Sequence, residues 1–182
     1  MNVSDSFPTD WMHERETRLL LRRQGVGIEL LINGVSNPRA MALICHPHPL
    51  YGGSLDNKVV FTLARACRDS DIVTVRFNFR GVGLSGGVYN DGIGELEDAR
   101  WLLGRFQMEL PDLPIILAGF SFGAAIVAQL SEMISCAGLL LSAPPVSRYG
   151  LDSNTRIIAP VLLLQCDDDD VIESTEVYHW FD

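Results

Sequence analysis

From about Thr17 onward, short apolar runs alternate with longer stretches in which apolar residues recur every three or four positions. The short runs, at 19–23, 27–32, 40–45, 72–79, 115–118, 138–141 and 161–166, are the predicted strands. Several are continuously apolar, as parallel strands covered on both faces tend to be. The run 72–79 alternates instead, with Val73, Val75, Phe77 and Phe79 separated by Thr74, Arg76 and Asn78. Helical spacing appears in 57–69, where Val60, Leu63, Ala64 and Cys67 share one stripe, and in 92–108, where Leu96, Ala99, Leu103 and Phe106 do so. The stretch 122–134 is apolar almost all round and is expected to be a buried helix; a short last helix is expected over 174–182. Two early strands suited to a hairpin, then strand and helix in alternation, predict an α/β fold: a mostly parallel sheet with helices on both faces. Residues 1–16 lack periodicity and are expected to form a loosely held N-terminal extension to one domain spanning 17–182. No repeat, low-complexity tract or linker breaks that span.

With 182 residues, 47% of them hydrophobic, the chain is long enough for one domain with a real core. No apolar run approaches the ~18 residues of a membrane span. The acidic, polar start has neither the basic nor the apolar region of a secretory signal, so a cytoplasmic location is expected. A formal charge of −9 argues against nucleic acid or an anionic membrane as partner and leaves a small-molecule substrate. None of the four cysteines, Cys45, Cys67, Cys136 and Cys166, lies in a CxxC pair. They read as small buried hydrophobes in a reducing cytosol rather than as metal ligands or disulfides.

The chemistry concentrates at Gly119-Phe120-Ser121-Phe122-Gly123, a G-x-S-x-G pattern after a predicted strand and before a predicted helix. A strand that turns at once into a helix strains its middle residue, and flanking side chains would strike neighbouring backbone. Glycines at 119 and 123 remove those clashes, and Ala124 and Ala125 let the helix pack closely. The serine hydroxyl is then raised at the C-terminal edge of the sheet, over helix amides that favour developing negative charge. The competing reading is a glycine-rich packing turn.

Four segments, in order, resemble the α/β-hydrolase superfamily, most of all its compact bacterial dienelactone-hydrolase-like and Xaa-Pro-peptidase-like members. They are Cys45-His46-Pro47-His48-Pro49-Leu50-Tyr51-Gly52-Gly53, Arg76-Phe77-Asn78-Phe79-Arg80-Gly81-Val82-Gly83, the serine turn, and Gln165-Cys166-Asp167-Asp168-Asp169-Asp170-Val171. The resemblance implies a serine hydrolase with Ser121 as nucleophile and Asp169 as the acid that orients a histidine. It makes the first segment an oxyanion-hole loop. One donor would be the amide of Phe122. Pro47 and Pro49 have no N–H, so the second would be Leu50 or Tyr51. His46 and His48 either shape the pocket or are ordinary loop histidines. No cofactor is implied, and the aspartate run lacks the spacing of a calcium loop, so no metal is expected.

In this family the histidine follows the acid after one more strand. Thirteen residues follow Asp169, and the later His179 falls on the expected last helix, pointing away from the sheet edge. The resemblance therefore implies a chain without its last strand, last helix and catalytic histidine, through a fragment, a truncated gene, or a partner chain that supplies the strand. Such a chain would have an impaired triad and a bare sheet edge open to pairing with a second copy. The rival readings are a non-catalytic hydrolase-like binding protein and an inactive truncated product. A further pattern, Gly81-Val82-Gly83-Leu84-Ser85-Gly86, spells G-x-G-x-x-G after a strand. It lacks the helix and the acid-ended strand that dinucleotide binding needs, so it is expected to wall the pocket, with Ser85 structural.

Overall fold

The computed structural model describes residues 3–8, 10–12 and 15–181. Among them, eight strands form one sheet: β1 (Val3–Ser4), β2 (Thr17–Arg23), β3 (Val26–Asn33), β4 (Ala40–Cys45), β5 (Ile72–Phe77), β6 (Ile115–Phe120), β7 (Gly138–Ser142) and β8 (Val161–Leu164). The helices are α1 (Lys58–Arg68), α2 (Ile93–Glu109), α3 (Phe122–Met133) and α4 (Ser174–Phe181). The sheet order is β1-β2-β3-β5-β4-β6-β7-β8. Strands β2 and β3 form the expected hairpin, β3 also runs antiparallel to β5, and every pairing from β5 to β8 is parallel.

Central β4 is buried along its whole length, which explains its unbroken apolar run. In β5 the alternation sorts the two faces. Val73, Val75 and Phe77 join the core shared with α2 and α3, while Ala42 and Ile44 of neighbouring β4 pack under α1. Helix α1 is capped by the Asn57 side chain, which accepts the amides of Val59 (2.9 Å) and Val60 (3.4 Å). It buries the expected stripe of Val60, Leu63, Ala64 and Cys67.

Three expectations need correction. Parts of the first sixteen residues are held in place: β1 pairs with β2, and Phe7 and Trp11 are buried against Phe106 of α2. These are isolated aromatics that periodicity does not reveal. The buried face of α2 is rotated, so that Glu95, Asp98 and Leu102 go inside and Leu96 is only half-buried. The Glu95 carboxylate goes inward because it accepts the amides of Gly92 and Asn90, both at 3.0 Å, at the start of the helix. The cysteines are all free thiols, but only Cys45 and Cys67 are buried, and Cys166 is exposed.

The chain leaves β4 toward β5 on one side and later returns to lay β6 on the other. The segments following β4 and β6 therefore meet at the C-terminal rim of the sheet, the usual place for a ligand in a parallel α/β sheet. On the outer side of β8 no described strand pairs, and Leu162 and Leu164 are exposed there. No described helix is long and apolar enough to cross a membrane.

Candidate active site

Strand β6 ends at Phe120 and α3 begins at Phe122, so Ser121 alone makes the turn. Its backbone lies at φ 52° and ψ −121°, a conformation side chains rarely adopt. Four contacts impose it. The Ser121 amide donates to Ser142 O of β7 (2.9 Å), and the Ser121 carbonyl accepts the amides of Ala124 (2.8 Å) and Ala125 (3.3 Å). The last contact is the stacking of three backbones. A Cβ on Gly119 would collide with the backbone of Gly123 and Ala124, and one on Gly123 with the backbone of Cys45 and His46. The Ser121 side chain is half-buried, and its hydroxyl makes no hydrogen bond among the described residues.

That strain is measurable. Non-glycine backbone in such a region costs about 1–3 kcal/mol, and glycine returns about 1 kcal/mol of that through its freer unfolded chain. Ser121→Gly is thus expected to raise stability by up to about 2 kcal/mol and the melting temperature by up to roughly 8 °C, while Ser121→Ala, which keeps the strain, leaves it nearly unchanged. A Ser121→Gly melting temperature below that of Ser121→Ala in calorimetry would show that the turn is not strained.

The loop after β4 folds into a 3-10 turn over Pro49–Tyr51, with His48 as its cap and Pro49 at its first position. This corrects the expected oxyanion donors. The Leu50 amide already donates to His48 Nδ1 (3.2 Å) and the Tyr51 amide to His48 O (3.1 Å). The His48 amide, next to Pro47 and at the start of this turn, makes no hydrogen bond among the described residues, and neither do those of Gly52 and Ser54 further along the loop. Phe122 is the first residue of α3, so its N–H has no partner within the helix. Closing the turn uses the two amides that proline counting had left, and a histidine before a proline at a helix start was the signal for it.

The two histidines separate. His46 is fully buried and lines no opening. Its Nδ1 bonds to Pro47 O (2.6 Å) and its Nε2 accepts the Phe79 amide (3.0 Å), so the ring supports the loop from below. His48 faces the rim, where its Nε2 meets the Tyr89 hydroxyl (3.1 Å) and the rings of Tyr51, Tyr89, Phe122 and Tyr149 lie 4.6–5.3 Å away. Because Nδ1 accepts from Leu50, Nε2–H donates to Tyr89. Burial lowers the pKa of His48 below its ordinary value, partly offset by the carboxylates of Glu95 and Asp91. Burial, with help from Asp91, pushes the Tyr89 hydroxyl up to about 12. Tyr149 was not singled out in the sequence; it belongs to this cluster because Gln129 of α3 donates to its carbonyl (2.6 Å).

Asp169 follows β8 at the same rim, two strands from the serine, or about 10 Å in sheet spacing. Its Oδ1 accepts the amides of Val171 (2.9 Å) and Ile172 (3.0 Å), and no described histidine bonds to it. His179 is exposed on α4, as expected. The glycine-rich segment is spent on structure. Ser85 Oγ donates to Asn78 O (2.7 Å), Leu84 N to Glu29 Oε2 (2.8 Å), and Gly86 N to Gly27 O (3.0 Å). It packs on β3, with the amides of Gly81, Val82, Leu84, Ser85 and Gly86 already bonded within the fold, and Tyr89 beyond it reaches the serine's rim.

No family model matches the chain. Among curated proteins it is 36% identical over 148 residues to an uncharacterized protein of Rickettsia prowazekii, covering 78% of this chain and 62% of that protein's length. Among solved structures it is similar to an α/β serine hydrolase homologue from Coxiella burnetii, with 39% identity, TM-score 0.85, and coverage of 90% of this chain and 80% of that one. It is also similar to a lidless α/β serine hydrolase from Xanthomonas campestris, with 34% identity, TM-score 0.86, and coverage of 96% and 79%. An esterase from Pyrococcus furiosus shares the fold at 17% identity, with TM-score 0.76 and coverage of 99% and 81%. With identity of this level across most of two hydrolase homologues, and the sheet order and serine turn described above, the chain belongs to the α/β-hydrolase superfamily as one of its compact members.

Proposed function

We propose that this protein belongs to a serine hydrolase that cleaves a small ester, thioester or amide, with Ser121 as its nucleophile. The observation that carries the reading is the Ser121 backbone, held at positive φ between a strand and a helix N-terminus. Only a hydroxyl that must stand clear of both elements justifies that cost. In the reaction, Ser121 Oγ attacks the carbonyl carbon as its proton passes to a general base, which hands it on to the leaving group, and the carbonyl oxygen becomes an oxyanion. The amides of Phe122 and His48 would receive that charge. Collapse expels the alcohol, thiol or amine and leaves an acyl-serine, which water then opens.

Asp169 is our candidate for the acid that orients the base. The base itself is assigned to no described residue, since none of His46, His48 and His179 bonds to Ser121. That observation favours a second reading, in which the same rim binds a ligand without turning it over. The four ordered segments support a dienelactone-hydrolase-like reading, the bacterial sources of the two hydrolase homologues support a bacterial one, and four free thiols support a reducing compartment such as the cytoplasm. A fluorophosphonate probe followed by peptide mass spectrometry decides between the readings. Label on Ser121, absent in Ser121→Ala, supports the hydrolase. A folded full-length form that takes no label, while Ser121→Ala binds ligand undiminished, supports the binder.

A further inference from the structure

We infer that Asn78 and Arg76 are positioning residues that set the His48 amide against the serine turn; the inference rests on the serine-hydrolase reading above. The loop from His46 to Leu55 is tied at both ends to one short stretch of chain, the end of β5 and the two residues after it. At the first end, His46 Nε2 accepts the Phe79 amide. At the second, Leu55 is gripped through both of its backbone groups. Its N–H donates to Asn78 Oδ1 (2.8 Å) and its carbonyl accepts from Arg76 Nη1 (3.0 Å). Positions 76 and 78 lie on one face of the chain by strand periodicity, so the two side chains reach the same residue. Between the anchors the loop closes on itself, with the amides of Tyr51 and Gly53 both donating to His48 O at 3.1 Å. This leaves the His48 N–H free.

The Asn78 amide cannot turn over. Its Nδ2 donates to Glu29 Oε2 (2.7 Å), and Glu29 is fixed in turn by the Leu84 amide (2.8 Å) and by Arg18 (3.4 Å). Glu29, Arg76 and Asn78 are all at least nine-tenths buried. Arg76 has no carboxylate in contact among the described residues and sits over the Phe61 ring, 5.4 Å from its centroid. A buried guanidinium without an ion pair is costly to keep. Here the guanidinium spends a hydrogen bond on the loop's anchor, Leu55 O. Cutting either grip frees the loop while leaving β4, β6 and α3 intact, so the effect falls on the oxyanion and not on ground-state binding.

Two measurements test this. Amide hydrogen exchange at Leu50, Tyr51, Gly53 and Leu55 is expected to speed up about 10-fold or more in Asn78→Ala, with β6 and α3 amides unchanged. Should Asn78→Ala fail to fold, Arg76→Met removes only the carbonyl grip and replaces a buried charge with an apolar chain of similar length. Unchanged exchange in the folded variant overturns the clamp. The second measurement compares an ester with its thionoester, because a sulfur anion gains less from amide donors than an oxyanion does. Both variants are expected to lose about 10–100-fold in kcat for the ester at unchanged KM, and to lose less for the thionoester. Parallel losses for the two substrates, or none, overturn the positioning role while leaving Ser121 as nucleophile. If the parent protein neither turns over ester nor takes fluorophosphonate, the hydrolase reading fails and the catalytic role of the clamp fails with it.

Discussion

Gly123→Ala is expected to destabilise the protein by at least about 4 kcal/mol, most of the stability an ordinary domain possesses. One methyl group is a small addition, and in a typical core it would displace a flexible side chain for about 1–3 kcal/mol. At position 123 there is no side chain to displace. The added carbon would lie within the backbone of Cys45 and His46, at the end of the central strand. That strand is hydrogen-bonded on both sides, to β5 and β6, so it cannot retreat without breaking a ladder. The first turn of α3 would have to move instead, which breaks the hold on Ser121. Gly119→Ala meets the same obstacle from below, against Gly123 and Ala124. Gly104, on α2 with open space around it, supplies the control, and Gly104→Ala is expected to be neutral or mildly stabilising. Urea unfolding of the three variants checks this, and a Gly123→Ala midpoint close to that of Gly104→Ala would refute the stacked-backbone account.

The same stacking explains why the centre of the fold was legible. β4 was bounded correctly from its apolar run, α1 from its stripe, and the serine turn from glycines whose need is steric and local. What escaped were contacts made across the chain. Phe7 and Trp11 are single aromatics in a polar segment, and their burial depends on Phe106, a hundred residues away in sequence. Leu96 looked as apolar as Leu102, yet the buried carboxylate of Glu95 decided which side of α2 faces inward. The oxyanion loop was half legible. Proline has no N–H, so two positions were excluded by covalent chemistry alone. That a 3-10 turn would consume the amides of Leu50 and Tyr51 became visible only with the closed loop. Strain is frequent at this rim, though Gln24 and Asp71 carry a positive φ in turns elsewhere. Ala143, Ser147 and Tyr149 also sit at positive φ, in the segment after β7 that borders the serine. A fold satisfied with its own packing has no need of so many unfavourable conformations along one rim.

Acidification is expected to weaken the protein through His46 specifically. Burial holds this imidazole down at about 4, against an ordinary value near 6.5, and the Pro47 carbonyl offsets only part of that. The folded state thus binds a proton less readily than the unfolded chain. Stability is therefore complete above pH 6.5 and is lost as pH falls from there to about 4. That interval corresponds to about 3 kcal/mol. The hydrogen bonds give the cause. Nδ1–H points at Pro47 O, so Nε2 must stay unprotonated to accept the Phe79 amide. A proton on Nε2 would turn two donors toward each other in a site without solvent. The first anchor of the loop would be lost before the strands are. His46→Gln retains an acceptor that does not titrate, so its stability should fall less over the same interval. Every other ionisable group is common to both proteins, so the difference between them isolates the one ring. Unfolding free energies at pH 7 and pH 4.5 provide the measurement. If the two proteins lose stability in parallel, His46 is not what makes the loop acid-sensitive.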